Sequence, residues 1–116
     1  MVLFLVVSCD HKPKGVMPER LLSEQEMTDI MTDVQIIEAE LNYRKTEEKD
    51  SLTEKLDFRA LSRSYYDQLF EHYGITDSIF SENLQYYSKF PGRLEVIMDS
   101  VTQRLTKAQS QLEPKQ

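Results

Sequence analysis

Apolar side chains recur every third or fourth residue along most of this chain, and that period leaves few folds open. Met27, Ile30, Met31, Val34, Ile37 and Leu41 form one such series. At 3.6 residues per turn they share one face of a helix, whereas a strand would throw neighbouring members to opposite sides. Ser23 and Glu26 stand just ahead with the spacing of a capping box, in which each side chain serves a backbone N–H near the other residue. Leu22 is placed to staple onto Met27, so a helix is expected from about Glu24.

After a polar connector over 45–50, Ser51 and Glu54 repeat the capping box. The helix they open carries Leu52, Leu56, Phe58, Leu61, Tyr65, Tyr66, Leu69, Phe70 and Tyr73. These positions spread around more than one face, which predicts that this is the central, most covered helix. Gly74 suits the left-handed residue that ends a helix, with Ile75 able to pack back on Phe70. Thr76 then caps a short third helix through Phe80, Leu84 and Tyr87. Pro91, which needs no donor in a first turn, opens a fourth with Leu94, Ile97, Met98, Val101, Leu105, Ala108 and Leu112 in line. No stretch alternates long enough for a strand. The expected fold is all-α: a compact bundle of four helices over 23–112, behind an extended tether over 9–22 and ahead of a frayed tail over 113–116.

Cys9 is the only cysteine and closes the run Val2-Leu3-Phe4-Leu5-Val6-Val7-Ser8-Cys9. An apolar segment, a small residue and then a thiol is the order lipoprotein processing needs: residues 1–8 would be removed and Cys9 would carry the lipid anchor. A lone cysteine cannot form an internal disulfide, which agrees with that use. The competing readings are an ordinary secretory signal and a buried strand. The apolar run is short and no Lys or Arg precedes it, which a start further upstream would explain. A strand fits poorly, because the run does not alternate and leads into Asp10-His11-Lys12-Pro13-Lys14-Gly15.

The formal charge of −6 argues against a nucleic-acid partner held by phosphate neutralisation. Acidity is concentrated between Leu21 and Tyr43, where Glu24, Glu26, Asp29, Asp33, Glu38 and Glu40 stand without one Lys or Arg. Such a segment is repelled by an anionic membrane surface and is expected to face away from it. Glu26, Asp29, Asp33 and Glu40 fall in one stripe, with Glu38 inside the apolar face. The plain reading is a solvated stripe with Glu38 paired to Arg59 or Arg63. The sharper reading makes Asp29, Asp33, Glu38 and Glu40 a docking surface for a basic partner. The aromatic residues are mostly core at this spacing. In the adjacent pairs Tyr65-Tyr66 and Tyr86-Tyr87 one ring must lie outward, and Tyr65 and Tyr86 are the candidates to line a partner groove.

His72 falls in the last turn of its helix, where contact with free carbonyls is the ordinary role. No second His or Cys stands near it to complete a metal site. No phosphate-cradling loop or nucleophile–base pair is present, so no catalytic residue, metal or cofactor is assigned and the chain is read as a non-enzyme.

Several motifs together resemble one family. They are Cys9 with its preceding run, Lys12-Pro13-Lys14 ending near Pro18, Asp33-Val34-Gln35-Ile36-Ile37-Glu38-Ala39, Tyr73-Gly74-Ile75-Thr76, and Phe80, Leu84, Tyr86-Tyr87 and Pro91. This set is similar to small Bacteroidetes lipoproteins classed as a domain of unknown function, over nearly the whole mature chain. The resemblance implies a Gram-negative cell envelope, an outer-membrane anchor and a compact helical domain, with no activity to carry over. Gln35 stands where relatives often carry His, so no metal role is implied at that turn. Surface-exported lipoproteins of that phylum carry an acidic cluster after the cysteine, and residues 10–14 do not, so the periplasmic face is expected. The functional expectation is a non-enzymatic adaptor binding a protein partner in an envelope complex. A chaperone-like or small-ligand-binding lipoprotein, using a groove between aromatic helices, is the alternative.

Overall fold

The computed structural model describes residues 17–46 and 52–112, so Cys9, the segment before it, Ser51 and the tail lie outside the described residues. Four helices make up the fold: α1 (Glu24–Thr46), α2 (Leu52–Tyr73), α3 (Asp77–Ser88) and α4 (Pro91–Leu112). Among the described residues there is no strand, and the all-α bundle expected from the spacing is what forms.

The helix ends follow local chemistry. At the start of α1 the Glu26 N–H donates to Ser23 Oγ at 3.0 Å, and the Ser23 N–H donates to Glu26 Oε2 at 3.2 Å. This is the reciprocal capping box. At the end of α2 the Ile75 N–H donates to the Phe70 carbonyl and the Gly74 N–H to the Glu71 carbonyl, each at 3.0 Å. That pair of bonds is a Schellman motif, and it requires the φ of +65° that Gly74 adopts. Thr76 caps α3 by accepting the Ile79 N–H on Oγ1 at 3.2 Å.

α1, rather than α2, is the central helix. It packs against α4 most extensively and against α2 on its other side, while α3 packs on α4. Its contacts run antiparallel to α2, with Asp33 opposite Tyr73 and Glu38 opposite Tyr66. They run parallel to α4, with Glu24 near Arg93 and Asp29 near Arg104. The expectation for α2 fails because breadth of apolar positions is not coverage. Leu52 and Leu56, on its first turns, are 72% and 55% exposed, and Leu69 is its one fully covered apolar side chain.

The core gathers at one end, around Leu22, Met27, Ile30, Ile75, Tyr87, Ile97 and Val101. α3 spans that end, carrying the chain from the close of α2 to the start of α4. At the other end Tyr43, Leu52, Leu56 and Leu112 are exposed. The apolar line expected to continue along α4 through Ala108 and Leu112 therefore runs past its cover.

The segment leading into α1 is built into the fold. Pro18 and Leu22 are buried. The Leu22 N–H donates to Asn83 Oδ1, and Asn83 Nδ2 donates to the carbonyls of Arg20 and Ile79, all at 2.8 Å. Tyr87 Oη donates to the Leu22 carbonyl at 2.7 Å, and Arg20 donates to the Gly74 carbonyl at 2.8 Å. The stretch expected to be the inner part of a tether is thus locked onto α3 from Pro18 onward.

Candidate functional site

Four of the six acidic residues of α1, namely Glu24, Asp29, Asp33 and Glu38, face its neighbours. Asp33 accepts from the Tyr73 hydroxyl, and Asp29 is paired with Arg104 of α4. Glu38 accepts from the Tyr66 hydroxyl at 2.9 Å, and Glu40 pairs with Arg44 one turn on at 2.8 Å. Glu24 lies 3.4 Å from Arg93. Three helices are therefore fastened through the carboxylates expected to form a docking stripe. Glu38 departs from its expected place in two respects: it is exposed rather than inside the apolar face, and its partner is Tyr66 rather than Arg59 or Arg63. Burial, reinforced by the bond to Glu38, pushes the Tyr66 hydroxyl up to about 12. Burial and Asp33 push Tyr73 in the same direction, so both phenols stay neutral donors at ordinary pH.

The aromatic side chains divide into two groups. Tyr66, Phe70 and Phe80 stack in sequence across α2 and α3, with centroids 6.0 and 5.7 Å apart. Tyr86, Tyr87 and Phe90 gather at the α3–α4 turn, where the Arg93 guanidinium lies 4.9 to 5.8 Å from all three rings. Tyr87 is the buried member of its pair and Tyr86 is half-buried against it, as expected. Arg93 already occupies the ring face of Tyr86, however, so that ring forms an internal cation–π contact. Tyr65 and Tyr66 are both half-buried and point to opposite flanks of α2.

Each of those flanks carries a recess. On one side Tyr65 lines a shallow groove of about 320 Å³ with Asp33, Ile36, Ile37, Leu69 and His72. On the other, Phe58, Arg59, Ser62, Arg63, Tyr66, Asp67 and Phe70 of α2, with Asp77 of α3, line an open cleft of about 650 Å³. Residues 59, 63, 66 and 70 follow the helical repeat, so one face of α2 supplies both the cations and the rings. This cleft was not identified from the sequence, in which Arg59 and Arg63 were assigned to Glu38. Their one-turn spacing in line with Tyr66 and Phe70 is the signal that marks it.

No group of three His, Cys, Asp or Glu side chains among the described residues could hold a metal ion. No helix among them is long and apolar enough to cross a membrane. The sequence model of a domain of unknown function, DUF4296, matches residues 18–111. The chain belongs to the DUF4296 family. Its match begins at Pro18, where the structure locks the entering segment onto α3, so the family domain includes the root of that segment. No curated protein and no solved structure matches the chain.

Proposed function

We propose that this DUF4296 protein is a lipid-anchored, non-enzymatic adaptor of a bacterial cell envelope. It would be held at the periplasmic face of the outer membrane through Cys9 and would bind a protein partner. The run ending at Cys9 supports the anchor. The single observation that carries the binding role is the cleft on α2, where two arginines and three aromatic rings line an open recess of about 650 Å³. Arginine and aromatic side chains are the residue types that most often dominate protein interfaces. The acidic stripe of α1 is the weaker docking surface, because Asp29, Asp33, Glu38 and Glu40 already hold partners within the chain. An open cleft fits a polypeptide segment better than an enclosed small molecule, which places the ligand-binding alternative second.

Cross-linking the acylated protein in native envelopes, followed by identification of what co-purifies, tests this reading. A defined partner, lost with Arg59→Glu/Arg63→Glu and kept with Asp33→Lys/Glu40→Lys, is expected. Diffuse capture of many chains, or none, would contradict the adaptor. Cys9→Ser is expected to release the protein from the membrane fraction.

A further inference from the structure

We infer that the α2 cleft receives an acidic segment of the partner protein, with two of its carboxylates seated on Arg59 and Arg63. This rests on the docking reading above and adds the chemistry of what docks. The other described arginines have acceptors: Arg20 a backbone carbonyl, and Arg44, Arg93 and Arg104 a carboxylate each. Of the arginines, Arg59 and Arg63 are the two that show no hydrogen bond or ion pair among the described residues, in a chain with 20 acidic and 14 basic side chains. They stand one turn apart on the same face, about 6 Å along the axis, and repel each other, an effect that Asp67, one turn beyond Arg63, offsets only in part.

Phe58 and Tyr66 flank the pair, giving the apolar contact that lets an arginine–carboxylate pair hold outside bulk water. Asp67 and Asp77 line the same cleft, with Asp67 about 12 Å along α2 from Arg59. The cleft therefore carries a charge order. The matching segment presents its acids toward Arg59 and Arg63, an apolar side chain between Phe58 and Tyr66, and a basic group toward Asp67. An anionic lipid surface fits less well, since it is drawn to clustered cations without interposed carboxylates and offers no basic group to Asp67.

Two labelled helical peptides of about twelve residues, or roughly 18 Å, test this by fluorescence anisotropy. One carries glutamates a turn apart, a leucine beside them and a lysine about two turns on; in the other every charge is reversed. The titrant is the full chain with Cys9→Ser, at about 0.15 M salt, where screening acts over about 8 Å. The glutamate peptide is expected to bind saturably and about tenfold tighter than its reversed counterpart, against the pull of the net charge. Arg59→Glu/Arg63→Glu is expected to invert the preference and Arg59→Lys/Arg63→Lys to keep its direction, with helicity by circular dichroism unchanged in both.

Absence of saturable binding, equal binding of the two peptides, or an unchanged preference in the glutamate variant would overturn the inference. So would binding to phosphatidylglycerol vesicles, or self-association in sedimentation, that the same variant abolishes; these would assign the cleft to lipid or to a second copy. A partner captured in envelopes through another face would leave the adaptor standing and remove only the acidic segment.

Discussion

Asn83 is buried completely, and each polar atom of its side chain is used: Oδ1 by the Leu22 N–H, Nδ2 by the Arg20 and Ile79 carbonyls. Asn83→Ala strips three hydrogen bonds and leaves the Leu22 N–H without its acceptor. We expect a loss of about 2–3 kcal/mol in urea unfolding, with Tyr87→Phe about 1 kcal/mol. A loss below about 0.5 kcal/mol for Asn83→Ala would show the clamp to be incidental. Gly74→Ala tests a different term. A Cβ there meets nothing within 4 Å, so the expected loss of about 1 kcal/mol is backbone strain at φ +65° alone. The contrast between these residues also shows what a sequence discloses. Gly74 and Thr76 were legible because capping is settled within a few residues. Asn83 was not, because its partners Leu22 and Arg20 are 61 and 63 positions away.

Among the elements, all four helices could be read from period and caps, whereas their ranking could not. α2 has the broader apolar surface, yet α1 is central because it lies between two long neighbours, and adjacency is a tertiary fact. Leu56→Lys on exposed α2 is therefore expected to change stability by less than about 0.5 kcal/mol, while Met27→Ala in α1 costs about 3 kcal/mol by urea unfolding. Comparable costs would put α2 back at the centre. The α1–α2 contact also carries a pH signature. Tyr66 titrates at about 12 when folded against an ordinary 10, so above pH 10 the unfolded chain ionises first. The stabilisation is complete below pH 10 and is lost as pH rises through 12. Tyr66→Phe is expected to flatten the decline of the urea midpoint across that window; parallel curves would show that the phenol makes no differential contribution.

For the whole molecule, the entering segment is fixed to α3 at the end where the core gathers, so the end that opens toward Tyr43, Leu52 and Leu112 is the one away from that root. The cleft lies on the flank of α2, with Asp77 of α3 at its rim. The acidic stripe looked functional in the sequence because charge density is visible there, while the side chains that engage Asp29, Asp33 and Glu38 come from α2 and α4. Arg59 and Arg63 drew notice only as counter-ions to Glu38, and Tyr66 took that place.

A photo-reactive phenylalanine analogue placed at Ser62 in the cleft, and separately at the exposed Gln35 of α1, tests the docking claim most directly in intact cells. A single discrete adduct from position 62, lost with Arg59→Glu/Arg63→Glu and absent from position 35, is the predicted result. An adduct from position 35 with none from 62 would contradict it and move the partner to α1.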